Sequence, residues 1–278
     1  MRRDRSHPIP VEHIPDFWER LSNAPSAFLA LDYDGTLAPF HVDRMRATPL
    51  TDIPELLDRI NTRTQGALAI VSGRTMAELE TLLPMANLTL IGSHGFEIKR
   101  PGAALVRREP RLLQNHGLAL ARMAAEHIGA GRLLEIKPGS VALHTRGLSR
   151  LEAQHHESQV GRLWTVLAPA HDLEVTRFEG GIELRSLGFH KGDAVRELMV
   201  GLRDGALVAY IGDDETDEDV FRLLRSKGYG IRVGPVERPT MAQGRLKDIA
   251  DVREFLACWH DLAPMGAREG DRTWISED

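Results

Sequence analysis

Two carboxylates two residues apart, Asp32 and Asp34, stand in the stretch Leu31-Asp32-Tyr33-Asp34-Gly35-Thr36, directly after an apolar run. Ionised carboxylates at the end of a buried strand are costly unless a cation neutralises them. A second acidic stretch, Gly212-Asp213-Asp214-Glu215-Thr216-Asp217-Glu218-Asp219, follows another apolar run in the same way. Ser72-Gly73-Arg74 ends a third, and Lys191 opens a helical pattern. Hard oxygen donors from two strand ends suit Mg²⁺, which takes one or two carboxylates plus water and substrate phosphate. A serine hydroxyl and a lone lysine on the same rim would hold phosphate oxygens. Glu218 and Asp219 read instead as acidic charge in the first turn of the helix that follows.

Other chemistries fail on spacing. Counted from Asp213, the sixth position of a calcium loop is Glu218 and the twelfth is Leu224. Counted from Asp32, the sixth is Leu37, so neither stretch is an EF-hand. The chain has no Gly-x₄-Gly-Lys-Ser/Thr phosphate loop. Gly228-Tyr229-Gly230-Ile231-Arg232-Val233 lacks the third glycine of a dinucleotide loop, and His155-His156-Glu157 reads as a solvated helix face.

The elements that must position these groups follow from hydrophobic patterning. Apolar runs at 27–31, 67–71, 88–91 and 206–211 do not alternate, the habit of parallel strands buried on both faces. Helical spacing follows at Met76, Leu79, Leu82 and Leu83, and at Val220, Phe221, Leu223 and Leu224, with Gly228 as a stop. Ala194, Val195, Leu198, Met199 and Leu202 form another helix before the fourth run. Strand and helix in alternation predict an α/β, doubly wound, mostly parallel sheet, with ligands beyond the carboxyl ends of its strands.

The middle of the chain changes pattern. A helix at 112–127 precedes a hairpin, 133–137 with 141–146 around Pro138-Gly139-Ser140. A second helix at 151–167 precedes a second hairpin, 173–178 with 182–185 around Glu179-Gly180-Gly181. This predicts an inserted α+β cap with an antiparallel sheet over 105–183, and a discontinuous core over 1–104 and 184–278. The tail from about Ala263 reads as a frayed end.

Composition agrees with that size. The chain has 278 residues, 42% apolar and 27% charged, with a formal charge of −5. The acidic balance disfavours nucleic acid as a partner. Cys258, the single cysteine, can make neither an intrachain disulfide nor a cysteine zinc site. Met1-Arg2-Arg3-Asp4-Arg5 is not followed by the apolar stretch of a secretory signal, and no apolar run approaches the ~20 residues of a membrane span. The expectation is a cytoplasmic protein without membrane contact, monomeric or weakly oligomeric.

Four motifs in this order resemble the haloacid-dehalogenase-like phosphatase superfamily: Asp32–Thr36, then Ser72, Lys191, and the acidic group Asp213, Asp214 and Asp217. Further stretches are similar to the trehalose-6-phosphate phosphatase family: Ser72-Gly73-Arg74, Gly92-Ser93-His94-Gly95, the acidic run with Thr216-Asp217-Glu218-Asp219, and 135–146. The resemblance covers about 28–233 and implies a Rossmann-like core with a cap. It departs at Thr145, where the family has an aromatic residue, and at His190, where it has asparagine. It implies Asp32 as nucleophile and Asp34 as general acid and base, with Ser72 and Lys191 taking up charge on the phosphoryl group. Gly35, Thr36 and Gly73 would complete the phosphate cradle. Mg²⁺ would sit on Asp32, the Asp34 backbone carbonyl and Asp213, with Asp214 and Asp217 supporting that shell. A functional link to a trehalose-6-phosphate synthase is a further implication.

Substrate choice should lie in the insert. Period-two alternation puts Glu135 and Lys137 on one strand face, His144 and Arg146 together on the next, and Glu183 with Arg185 on the last. That charged face is either the solvated side of an antiparallel sheet or a lid that hydrogen-bonds sugar hydroxyls. The resemblance favours the lid, with Glu135, Lys137 and Glu183 foremost and His94 and Gly95 as further sugar contacts. Phosphatases for sucrose phosphate or mannosyl-3-phosphoglycerate would share the core residues, so only the insert separates them. A phosphomutase would need its phosphoenzyme shielded from water. A non-enzymatic sugar-phosphate sensor predicts loss of Asp32, Asp34, Lys191 or Asp213, and all four are present.

Overall fold

The computed structural model describes residues 8–178, 180–235 and 239–266. The larger sheet has nine strands in the order Ile9–Pro10, Gly244–Leu246, Tyr229–Val233, Leu207–Gly212, Ala27–Leu31, Leu68–Val71, Thr89–Gly92, Glu97–Lys99, Val106–Arg107. The first seven pair in parallel, and the last two pairings, Thr89–Gly92 with Glu97–Lys99 and Glu97–Lys99 with Val106–Arg107, are antiparallel.

The non-alternating runs are buried on both faces because helices cover both. Leu29, Leu31, Leu68, Ile70 and Ile211 pack on one side with the helices Ile53–Arg63, Met76–Leu82 and Ile249–Leu262. Phe28, Ala30, Ala69, Val71, Val208 and Tyr210 face the other way, against Lys191–Leu198 and Glu218–Leu224.

Register brings the motifs to one edge. Leu31 pairs with Ile211 on one side and Ile70 on the other, so Asp32, Gly212 and Val71 are level. The Asp32 N–H donates to the Ile211 carbonyl at 2.8 Å, and the Ser72 N–H to that of Ile91 at 2.9 Å. All four strands therefore release their candidate residues beyond the same carboxyl-end rim, where a doubly wound sheet places its ligands.

The insert is a four-stranded antiparallel sheet, Leu134–Lys137, Ser140–His144, Gly181–Ser186, Leu173–Phe178, backed by the helices Leu112–His127 and Arg150–Leu167. Its own core gathers Leu118, Ala121, Val141, Leu143, Val160, Trp164, Ile182 and Leu184. Residues Val106–Arg107 pair with the larger sheet and the whole of Gly181–Ser186 with the smaller one. The boundaries expected at 105 and 183 thus fall next to or inside strands, and the chain changes sheets over 108–133 and after Ser186. Glu179 of the second turn lies outside the described residues.

Two helix ends also differ. Glu218–Leu224 stops short of Gly228, whose N–H closes back onto the Leu224 carbonyl at 2.9 Å. Order also continues past Ala263, which is fully buried, while Gly266 donates to the Arg63 carbonyl at 3.1 Å. The remainder of the expected frayed end, 267–278, lies outside the described residues. Among the described residues no helix is long and apolar enough to cross a membrane.

Candidate active site

Lys191, 2% exposed, anchors the rim from the first turn of its helix. Its Nζ lies 2.9 Å from Asp32 Oδ1 and 2.8 Å from Asp217 Oδ1. His190 caps that helix by accepting the Asp193 N–H on Nδ1 at 3.3 Å, a role an asparagine at this position would also fill. Asp217 is fully occupied: Oδ1 also accepts the Tyr210 hydroxyl at 2.6 Å, and Oδ2 the Asp214 N–H at 2.9 Å. Asp214 caps the turn Glu215–Asp217, accepting the Glu215 N–H at 2.7 Å.

Carboxylate oxygens of Asp32, Asp213 and Asp217 come within 4.8 Å of one another. Burial pushes the Asp32 carboxyl up to about 8, with Lys191 pulling the other way and Asp217 adding to the rise. Burial likewise raises Asp213 well above the carboxylate range, helped by Asp32 and Asp217. Asp213 Oδ1 is inaccessible and has no hydrogen-bond partner among the described residues. Crowded carboxylates with an unmatched buried oxygen are a donor set suited to a hard divalent cation such as Mg²⁺. Asp32 and Asp213 have oxygens to give it, whereas those of Asp217 are taken by Lys191, Tyr210 and the Asp214 backbone. Gly35 makes room for this: its φ is +72°, and a Cβ there would lie 2.2 Å from Asp213 Oδ2.

Asp34 is held by Arg74, whose Nε and Nη2 donate to its two oxygens at 2.7 and 2.6 Å. Arg74 is almost fully buried and lies over the Tyr33 ring at 5.3 Å. Ser72 Oγ accepts the Arg74 N–H at 3.2 Å. The Thr36 hydroxyl is buried and unpartnered among the described residues.

The charged face of the insert points at this rim. His94 lies in a left-handed turn (φ 56°) beyond its strand, and its Nε2 lies 3.1 Å from Glu183 Oε2. The imidazole sits where a Cβ on Gly73 would be, 2.5 Å from its Cε1. Glu183 also accepts Ser140 Oγ at 2.7 Å and Lys137 Nζ at 3.3 Å. Burial works to raise Glu183, but Lys137 and His94 hold it well below the usual range. Burial lowers His94 despite Glu183, and Lys137 is raised by Glu183 and Glu135 against its own burial. Glu135 accepts from His144 Nε2 at 2.6 Å. Against burial, His144, Lys137 and Arg44 hold it at about 2.

A cavity of about 190 Å³ lies between core and insert, lined by Asp32, Asp34, Ser72, Gly73, Lys191, Asp213 and Asp214 below. Above them stand His94, Lys137, His144, Arg146 and Glu183. Phe40, Val42, Arg44, Arg74, Phe178 and Thr216 complete the wall. Sequence reasoning assigned no role to those six. Arg74 and Thr216 stand inside motifs legible in the sequence, while the loop carrying Phe40, Val42 and Arg44 has no periodicity to reveal it. Some expected residues stand off the wall. Gly95 turns to Ala194 and gives its carbonyl to Arg108, Glu135 stands behind Arg44 and His144, and Gly35 lines an adjacent cleft. Thr145 is buried and donates to Glu157 at 2.7 Å, so the expected aromatic position faces the helix of the insert and Glu157 is not simply solvated. A larger open groove of about 1,500 Å³ between the insert and Glu218–Leu224 contains neither Asp32, Asp34 nor Lys191.

A sequence profile for the family described as Trehalose-phosphatase matches residues 30–250. The chain is 33% identical over 242 residues to a Thermoproteus tenax protein named Bifunctional trehalose-6-phosphate synthase/phosphatase, covering 84% of this chain and 32% of that one. It is 32% identical over 256 residues to the Zea mays protein named Trehalose 6-phosphate phosphatase RA3, covering 81% and 67%. This chain thus spans about a third of the first relative and two-thirds of the second. The fold is shared with the C. albicans trehalose-6-phosphate phosphatase C-terminal domain, at a TM-score of 0.78 and 22% identity over 94% of this chain and all of that one. A profile match running from the Asp32 strand through the acidic loop, with relatives of that similarity, shows that the chain belongs to the trehalose-phosphatase family.

Proposed function

We propose that this chain hydrolyses the phosphate ester of trehalose 6-phosphate in two displacements at Asp32. The observation that carries the reading is the cavity: Asp32, Ser72 and Lys191, groups able to attack and bind a phosphoryl group, share its lining with Lys137, His144 and Glu183, groups able to hydrogen-bond sugar hydroxyls. Asp32 Oδ attacks phosphorus, and the ester P–O bond breaks as Asp34 gives a proton to the leaving sugar oxygen. Asp34 then takes a proton from water, whose oxygen attacks phosphorus and breaks the bond to Asp32, releasing phosphate. To reach the leaving oxygen, Asp34 exchanges at least one of its two bonds to Arg74.

Lys191 and Ser72 take up charge on the phosphoryl oxygens, with Gly73, Gly35 and Thr36 as the surrounding cradle. Mg²⁺ held by Asp32, the Asp34 carbonyl and Asp213 would offset negative charge at phosphorus and keep Asp32 ionised. Asp217, fixed by Tyr210 and the Asp214 backbone, keeps Lys191 in place.

The cavity is smaller than the ~300–1,000 Å³ of ordinary ligand pockets, which supports an insert that lifts for entry and release. The lid reading of the charged face is thus supported over the solvated one. The Thermoproteus tenax relative is named as both synthase and phosphatase. That name supports a functional link to an enzyme making the sugar phosphate. Phosphate release should be screened across sugar phosphates with and without Mg²⁺, with Asp32→Asn as control. Release that is Mg²⁺-independent, or that survives in the variant, overturns the mechanism. A preference for sucrose phosphate or mannosyl-3-phosphoglycerate overturns the substrate.

A further inference from the structure

Arg44 lies outside every motif, yet it connects the two parts of the molecule. It opens the short turn Arg44–Arg46 on the loop that leaves the Asp32 strand, a turn fixed by Asp43 Oδ1 accepting the Met45 N–H at 3.0 Å. Its Nη2 donates to Glu78 Oε2 at 3.0 Å. The same Glu78 oxygen accepts the Thr75 N–H at 3.0 Å and the Thr75 hydroxyl at 2.9 Å, closing the cap of the core helix Met76–Leu82. Glu78 therefore belongs rigidly to the core.

The other branch of the guanidinium reaches the insert. Arg44 Nη1 pairs with Glu135 Oε2 and lies 3.4 Å from His144 Nε2. Glu135 pairs across the sheet with Ala142, so its face is the one that His144 shares. Lys137 is 3.5 Å from the same Glu135 oxygen. Neighbouring residues of the loop also meet the insert: Arg146 donates to the His41 carbonyl at 3.3 Å and lies over the Phe40 ring at 5.0 Å. The Arg44 and Glu135 side chains are 28% and 18% exposed, less screened than a pair on open surface. A planar guanidinium can serve separate acceptors with separate nitrogens, which a lysine ammonium does less well.

We propose that Arg44 is a positioning residue for substrate: it ties the Glu135–His144 edge of the insert to the catalytic loop. Through Glu135 it sets where Lys137 and His144 stand in the cavity, although Glu135 is not on the wall. This rests on the hydrolysis reading above. Contacts to a sugar depend on Arg44, whereas a small aryl phosphate makes none.

The test uses the full chain, with steady-state phosphate release from trehalose 6-phosphate and from p-nitrophenyl phosphate. Arg44→Met keeps the aliphatic stem and removes the charge. It should raise KM for the sugar phosphate about tenfold, the scale of a lost charge-assisted bond, with kcat within about twofold. The sugar-to-aryl ratio of kcat/KM should fall by about the same factor. Arg44→Lys should recover only part of it. In a Glu135→Gln background, Arg44→Met should add less than about twofold, the signature of residues acting as a unit. Equal losses on both substrates overturn the proposal, as do additive effects with Glu135→Gln. A lower Tm with unchanged KM overturns it too, because that is the behaviour of a merely structural pair. A wild-type chain that prefers another sugar phosphate overturns the trehalose reading instead, and the same ratio on that substrate then decides the role of Arg44.

Discussion

Glu183 offers the sharpest test of the roof of the cavity, and Glu183→Gln is the right perturbation because it removes charge without removing volume. The carboxylate is 2% exposed and serves three donors: Ser140 Oγ at 2.7 Å, His94 Nε2 at 3.1 Å and Lys137 Nζ at 3.3 Å. Breaking a buried ion pair from one side costs ~3–5 kcal/mol. Lys137 keeps Glu135 at 3.5 Å, so roughly 2 kcal/mol is the share expected in the closed arrangement, a factor of about thirty. The assay is kcat/KM for trehalose 6-phosphate beside that for p-nitrophenyl phosphate, which has no sugar hydroxyls. The sugar phosphate should lose about thirtyfold and the aryl phosphate less than about threefold.

A second readout follows from the lysine. Lys137 is raised because Glu183 and Glu135 outweigh its burial. Once Glu183→Gln has removed the carboxylate, burial pulls the ammonium back down, and the variant should lose sugar-phosphate turnover on the alkaline side. Wild-type turnover should stay flat there, apart from groups common to both substrates. Equal losses on the two substrates, with alkaline limbs that superpose, would refute the assignment of Glu183 and Lys137 to sugar recognition.

Three further outcomes follow from the same geometry. Gly35→Ala places a Cβ 2.2 Å from Asp213 Oδ2 at φ +72°, so phosphate release should fall about 100-fold, the cost of a ~1 Å misplacement, with Tm lowered by only a few degrees. Full activity in that variant would remove Asp213 from the site. Adding Mg²⁺ at ~100 times its dissociation constant should stabilise the fold by about 2.7 kcal/mol in thermal unfolding, and Asp213→Asn should abolish that shift. A shift that persists in the variant places the ion elsewhere. Glu135 has its value depressed from 4.5 to about 2, so its contribution is complete above pH 4.5 and is lost as pH falls from 4.5 towards 2, about 3 kcal/mol at most. Glu183, also depressed, and His94, lowered from 6.5, act in the same direction, so acid weakens the core–insert contact. Unfolding scans from pH 6 down to 2 should show Glu135→Gln with the shallower acid loss below about pH 4.5; an identical slope counts against the Glu135 ion pairs.

What could be read from residue order was whatever is local. Asp32, Ser72 and Asp213 each follow an apolar run that helices bury on both faces, and parallel register then aligns them without further information. The helices and hairpins of the insert likewise carry their own periodicity, and they occur within a few residues of the spans expected. Contacts set by distant partners were not legible. Val106–Arg107 is a strand only because Glu97–Lys99 lies beside it, so a boundary placed at about 105 from the change of pattern does not register that pairing. Tyr210 looks like one more core residue in an apolar strand, yet its buried hydroxyl must find a partner, and Asp217 at 2.6 Å supplies it. Arg44 is the extreme case. It sits on an irregular loop, and one neighbour, His144, is a hundred positions away. On the proposed reading, the chemistry of phosphate is written in short motifs, whereas the fit of the sugar would depend on side chains that only the docked insert brings together. Relatives with the same strand-end residues can therefore differ in substrate, and substitutions at Arg44, Phe40 or Val42 should shift specificity more than the rate of phosphoryl transfer.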